Sequence, residues 1–295
     1  MAASVPLDTL LHKRLEQFTR MLHALEGGDL KAIHRTRVAS RRLRAVLPLL
    51  EMERSAARKM DRRLRRVTNR LGEVRELDVL SRLVDELNES GHHDVRALRQ
   101  VRASIADDRS RAHRRMVEDV PPGELKRIAT KLDKVADRGK AHAERPLRLA
   151  LEVHVARCAS VLAQAVEEAG ALYLTDRVHS VRIGVKKLRY AMELAAEAAG
   201  RKSTADLRML KRVQSLLGRL HDLQVLVERI RHVQATAGRV DLTIWHELDA
   251  ITTDLEDACR RLHARFVRDR AAVIAVCERV GPKARHEAAD RAEAS

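Results

Sequence analysis

The apolar residues of this chain recur at intervals of three and four positions through long stretches that glycine and proline seldom interrupt. This spacing places apolar side chains on one face of a helix, so it predicts an all-α fold. Glycines, prolines and capping residues mark the breaks between the stretches. They predict helices near residues 8–26, 30–51, 55–88, 94–118, 124–136, 147–169, 176–198, 204–234 and 241–279.

Two sequence patterns each occur twice along the chain. HRTRVASRRLR at 34–44 resembles HSVRIGVKKLR at 179–189, which lies 145 residues later. LRRVTNRLGEVRELDVL at 64–80 resembles LKRVQSLLGRLHDLQVL at 210–226, at an offset of 146. Two motifs in the same order at nearly the same spacing indicate an internal duplication.

The duplication predicts two four-helix bundles related by a pseudo-twofold axis. We expect one domain over 7–280, with the first bundle at about 7–138 and the second at about 146–280. The tail, 281–295, contains almost no large apolar residue and is expected to be disordered.

The chain is strongly basic, with a net charge of +16 and a pI near 10.5. This charge points to an anionic partner such as nucleic acid, an acidic membrane surface or a phosphate polymer. Only 2% of the residues are aromatic, which disfavours single-stranded nucleic acid because its bases stack on aromatic side chains.

The three cysteines, Cys158, Cys259 and Cys277, are widely separated and have no metal-binding spacing. An odd number of scattered cysteines is typical of a reducing compartment, so we expect a cytoplasmic protein. The N-terminus lacks the pattern of a signal peptide, and the sequence predicts no transmembrane segment. Association with a membrane surface stays open.

The first motif predicts a cationic stripe on one helix. His34, Arg37, Arg41 and Arg44 lie within an arc of about 80°. The second copy repeats the arrangement with His179, Arg182, Lys186 and Arg189, and the flanking positions carry Arg42 and Lys187. A solvated helix face normally mixes charges of both signs, but neither stripe contains a carboxylate. The stripes therefore favour an anion-binding role over a merely solvated face.

The second motif places polar residues beside the apolar stripe of its helix. Arg75 and Asp78 lie at the margin of that stripe, and His221 and Gln224 take the same places in the second copy. Inward polar groups need partners. They form either a buried network or the border of an internal anion channel, and both can hold.

Four further positions match between the two copies. Glu76 and Asp222 are candidates for carboxylates that orient the cations. Gly72 and Gly218 stand in mid-helix, where glycine is costly and indicates close approach of a helix or a ligand, with close helix packing the favoured interpretation.

The sequence offers little support for catalysis. It has no phosphate-binding GxxxxGK[ST] loop, no nucleophile elbow and no H-E-x-x-H motif. The Glu-x-x-His spacing of a di-metal bundle occurs only at Glu89–His92, across an expected turn. We predict no enzymatic activity, no metal site and no cofactor.

The paired motifs H-x-x-R-x-x-x-[KR]-[KR]-L-R and L-G-x-x-[RH]-[ED]-L resemble the CHAD family, the conserved histidine α-helical domain, over about residues 7–280. The resemblance implies two four-helix bundles whose basic faces line a central groove, and a non-enzymatic binding module for inorganic polyphosphate at polyphosphate granules. The binding residues it implies are His34, Arg37, Arg41, Arg42, Arg44, Arg65, Arg75, His179, Arg182, Lys186, Lys187, Arg189, Lys211 and His221.

In this hypothesis the arginines bind phosphate oxygens in bidentate fashion, and His34 and His179 gain charge as the pH falls toward about 6.5. Partners would be polyphosphate and granule-associated proteins. The alternatives are a nucleic-acid-binding protein that uses the same basic surface and a regulator of a polyphosphate-metabolising enzyme.

Overall fold

The fold is all α-helical, as the apolar spacing predicts. The computed structural model describes residues 7–26, 30–47, 52–138, 144–201, 204–236 and 242–281. Within these ranges the helices are α1 Leu7–Glu26, α2 Leu30–Val46, α3 Arg54–Ser90, α4 Val95–Asp119, α5 Pro122–Arg138, α6 Glu144–Ala169, α7 Thr175–Ala198, α8 Ala205–Thr236 and α9 Leu242–Val280.

The helix termini follow local capping chemistry. Glu53 precedes α3 and accepts hydrogen bonds from the backbone N–H groups of the first turn, and Asp94 does the same for α4. Gly91 ends α3 with a φ of 70°, in the left-handed region that favours glycine. The prediction for α2 was too long, because the helix ends at Val46, two residues before Pro48.

The helices pack in the same order in the two halves of the chain. In the first half α1 packs on α2, α2 on α3 and α3 on α4, and α5 returns to α1. In the second half α6 packs on α7, α7 on α8 and α8 on α9, whose far end returns to α6. The break between α4 and α5 falls at Pro121 and Pro122, whereas α9 continues without interruption. This order agrees with the predicted duplication, which stays a prediction, as do the predicted domain limits.

The predicted apolar stripes form the core. Leu43 and Val46 of α2 are buried, as are Val67, Leu71 and Val74 of α3. The buried residues form two clusters. The larger one holds the core of the first half together with a few residues of α6 and α7, the second part of α8 and the beginning of α9. The smaller one holds most of the buried residues of α6 and α7, the first part of α8 and the end of α9. The packing of α8 and α9 onto the first half joins the two halves.

Polar contacts also join the halves. Arg219 of α8 forms an ion pair with Glu86 of α3, with 2.7 Å between Nη2 and Oε2. Arg229 of α8 forms an ion pair with Asp108 of α4. Contacts of α3 with α8 and of α2 with α7 bring the four motif helices together. The motifs therefore meet where the two halves join.

One stretch of α6, Arg148–Ala169, is long and apolar enough to cross a membrane by length and composition, with a mean hydropathy of 1.3. One third of it is buried, where Leu151, Val155, Ala159 and Leu162 enter the core. A helix that contributes to the core of a folded domain passes the same test, so this is weak evidence for a span. The predicted tail, from residue 282 onward, lies outside the described residues.

Candidate anion-binding site

The centre of the site is a group of four cations from α2 and α7, namely Arg37, Arg41, Arg182 and Lys186, which we call the central cluster. All four are half-buried. Burial lowers the pKa of Arg37 to about 10, and the charges of Arg41 and Arg182 add to the effect. The two sequence motifs, which lie 145 residues apart, thus place like charges against one another.

Among the four cations, Lys186 has the least favourable environment for a charged side chain. Burial, together with the neighbouring charges of Arg41 and Arg182, lowers its pKa to about 7. A shift of this kind means that the charged form is costly in the free protein. A bound anion would remove that cost, so the charges of the cluster would favour binding of an anion.

Gly72 makes room for Arg37. A methyl group at position 72 would lie 3.3 Å from Nε of Arg37, which is closer than most such contacts. The Nε atom is buried and has no hydrogen-bond partner in the described part of the chain. Gly72 was expected to allow close packing of another helix. The neighbour it accommodates is the side chain of Arg37 on α2. At Gly218 the same construction meets no described atom within 4 Å.

Two carboxylates lie among these cations, one from each half. Burial raises the pKa of Asp222, and Arg182, Arg219 and Arg75 oppose the rise. Burial likewise raises the pKa of Glu76, with Arg37 opposing it, although Glu76 remains exposed to solvent. The two acids interact with cations from both halves, and the orienting role predicted for them stays a prediction.

The motif histidines interact with different members of the cluster, since His34 is affected by Arg37 and Arg41, and His179 and His221 are affected by Arg182 and Lys186. His179 and His221 stack at an angle, with their ring centroids 5.3 Å apart. Burial and neighbouring cations lower the pKa of His34 and His179, and they lower that of His221 to about 4. The expectation that His34 and His179 gain charge as the pH falls toward about 6.5 needs correction, because burial and the neighbouring cations favour their neutral forms.

Two predicted binding residues are already paired within the protein. Nε of Arg44 donates to Oδ1 of Asp61 over 3.0 Å. Arg189 forms an ion pair with Glu193, donates from Nε to Gln214 over 2.6 Å and stacks on Tyr190. These partners were not predicted from the sequence, because only the charges within each stripe were compared there.

The other predicted residues lie farther from the central cluster. Arg42 faces Arg14 of α1, whose pKa it helps to lower. Lys187 is exposed and interacts with Cys158 of α6. Arg65 and Lys211 are exposed and precede Arg75 and His221 by ten residues, which is about 15 Å along a helix. Their part in binding stays a prediction.

The two polar residues of the second motif, Arg75 and Asp78, have different surroundings. Arg75 is half-buried, and its charge reaches His34 and Asp222. Asp78, by contrast, accepts a 2.7 Å hydrogen bond from Arg109 of α4, and its counterpart Gln224 donates to the Tyr173 hydroxyl over 2.6 Å. Asp78 and Gln224 therefore belong to networks of half-buried polar side chains, which is one of the two interpretations that the sequence leaves open. That Arg75 borders an anion channel stays a prediction.

Sequence reasoning missed one cation at this site. Arg82 of α3 lowers the pKa of both His34 and Arg75. It follows Arg75 by seven residues, which places both on one face of the helix. That spacing was the signal that could have identified it. In the described ranges no group of three or more His, Cys, Asp or Glu side chains could hold a metal ion.

Fold and site together define an all-α protein whose two halves present basic helices to each other. A family model described as "CHAD domain" matches residues 9–231. The chain belongs to the CHAD domain family, which is associated with polyphosphate-related proteins. Family and fold are compatible with a non-catalytic binding domain. No curated protein matches the sequence.

The solved structures that are similar to this chain include two that cover most of it. One is PptA from Streptomyces chartreusis, at 20% identity and a TM-score of 0.65, covering 88% of this chain and 96% of that one. The other is the CHAD domain from the plant Ricinus communis, at 19% identity and a TM-score of 0.65, covering 94% of this chain and 93% of that one. The similarity to these two structures shows the fold alone.

Proposed function

We propose that this protein binds inorganic polyphosphate without catalysing its breakdown, through the central cluster and the histidines beside it. The observation that carries the proposal is the convergence of Arg37, Arg41, Arg182 and Lys186 from two helices, with lowered pKa values for Arg37, Arg182 and Lys186. Half-buried cations that outnumber the neighbouring carboxylates are unfavourable unless an anion binds them.

The chemistry of the cluster suits a polymer of bare phosphates. Guanidinium groups bind phosphate oxygens in bidentate fashion, and a lysine acts as a compact point charge. Tyr190 is close enough to affect the pKa of Arg37, and Arg189 covers its ring, with 4.3 Å between the guanidinium carbon and the ring centroid. This leaves it poorly placed to stack with bases, which favours polyphosphate over nucleic acid as the ligand. The cytoplasm and its polyphosphate granules are the proposed location.

A salt titration tests the proposal. Displacement of counterions from a polyanion makes affinity fall steeply with salt. We expect the dissociation constant for long-chain polyphosphate to rise at least about tenfold between about 50 mM and about 500 mM salt. Phosphate release with Mg²⁺ or Mn²⁺ is measured alongside and is expected to be absent. Affinity independent of salt, or steady phosphate release, would overturn the proposal.

A further inference from the structure

A second basic cleft lies on α4, outside the central cluster. Its volume is about 290 Å³, and Arg109, Ser110, His113 and Arg114 line it. The hydrogen bond from Arg109 to Asp78 fixes this part of α4 against α3. His113 is half-buried and Arg114 is exposed, so both can be reached by a ligand.

Arg82 connects this cleft with the central site. Its Nε donates to the backbone carbonyl of Asp78 over 3.3 Å, and the carboxylate of the same Asp78 binds Arg109. Arg82 is also close enough to His34 to lower the pKa of that imidazole. A row of basic groups therefore runs from His34 through Arg82 to the cleft on α4.

The second half of the chain has a corresponding cleft with different charges. Its volume is about 210 Å³, and its lining includes Glu228, Arg231, Glu256 and Arg260. Arg231 forms an ion pair with Glu256, and Arg260 pairs with Asp257. The acids cancel the positive charge of this cleft.

The offset of 146 that relates the second motif copies also relates the two clefts. At this offset Glu228 corresponds to Arg82, and Arg260 corresponds to Arg114. Position 82 of the first half, which connects the cleft with the central site, thus carries a cation. The corresponding position 228 of the second half carries an acid. The basic path is continuous on one side only.

We propose that the cleft on α4 is a second anion subsite, which extends the path of a bound phosphate chain over the first half alone. The inference rests on the proposed function. Arg82 and Arg114 would contact phosphate oxygens, and His113 would donate a hydrogen bond. A chain too short to leave the central cluster would not reach this subsite, so the subsite adds affinity only for long chains.

Two single variants with the same loss of charge test this inference. Arg114→Gln removes one cation from the cleft on α4, and Arg260→Gln removes one from the corresponding cleft. Both arginines are exposed, so both variants should fold, as circular dichroism verifies. Each is titrated with tripolyphosphate and with long-chain polyphosphate by calorimetry.

The first variant should bind long-chain polyphosphate about tenfold more weakly than the wild type and tripolyphosphate equally well. The second should stay within about threefold of the wild type for both ligands. Equal weakening of long-chain binding in both variants, or equal weakening of both ligands in the first, would overturn the inference while the proposed function stands. A wild-type protein that binds neither ligand would overturn both.

Discussion

Gly72 of α3 leaves space for the guanidinium of Arg37, since a methyl group at position 72 would lie 3.3 Å from the Arg37 Nε. Gly72→Ala should therefore displace Arg37 and weaken polyphosphate binding several-fold. Gly218→Ala is the matched control, because no described atom lies within 4 Å of its added methyl group. In both variants alanine should favour the helix by about 0.5 to 1 kcal/mol.

Thermal unfolding and a binding titration on the two glycine variants check this prediction. Gly218→Ala should unfold at a higher temperature with unchanged affinity. Unchanged affinity in Gly72→Ala would mean that the position of Arg37 does not matter for binding.

Lys186 should make polyphosphate binding depend on pH. Its pKa in the free protein is lowered to about 7, mainly by burial and then by Arg41. A bound anion favours the protonated amine, so binding takes up a proton above pH 7 and affinity should fall as the pH rises from 7 to 9. Lys186→Arg should flatten this dependence, whereas Lys187→Arg, on the exposed neighbour, should preserve it. Binding titrations with polyphosphate at several pH values test this prediction. If affinity changed equally with pH in both variants, Lys186 would be excluded as the cause of the pH dependence.

The same lysine should limit the stability of the free protein. Its pKa is lower when folded than the ordinary value of 10.5, so the unfolded chain binds more protons between about pH 7 and 10.5. The free energy of unfolding should consequently rise with pH across that window. Below it the lysine is charged in both states, so the destabilising contribution stays constant.

Lys186→Met should remove this cost and raise the free energy of unfolding at pH 7 by about 1 kcal/mol, while polyphosphate affinity falls. Urea unfolding with and without ligand measures both effects. A less stable Lys186→Met protein would show that the lysine has a partner in the free state.

Arginines at different motif positions should differ in their effect on binding. Arg37→Gln removes a cation with a buried, unpartnered Nε, and it should weaken binding about 10- to 100-fold, the range for charge-assisted hydrogen bonds. Arg44→Gln removes a cation already paired with Asp61, and it should weaken binding by less than about threefold. Similar losses in a binding titration of the two variants would contradict the difference in environment.

The sequence predicts the helices well because apolar spacing and capping act locally. Val67, Leu71 and Val74 are buried as the pattern on α3 predicts. The motif spacing also identifies the face that carries Arg37 and Arg41. These features depend on one helix at a time, which is why the sequence suffices for them.

Features that depend on two helices escaped prediction. The pairing of Arg44 with Asp61 and of Asp78 with Arg109 joins side chains of different helices, and no periodicity reveals which residues will meet. The depressed pKa of Lys186 likewise requires burial together with cations from α2. Only the packed structure contains that information.

We claim that the cluster of Arg37, Arg41, Arg182 and Lys186 selects polyphosphate over nucleic acid. The decisive experiment is a competition titration of labelled long-chain polyphosphate against duplex DNA at equal phosphate concentration. The wild type should prefer polyphosphate, Arg37→Gln with Arg182→Gln should lose that preference, and Arg231→Gln with Arg260→Gln should keep it. Equal binding of both polymers by the wild type, unaffected by either pair of substitutions, would contradict the claim.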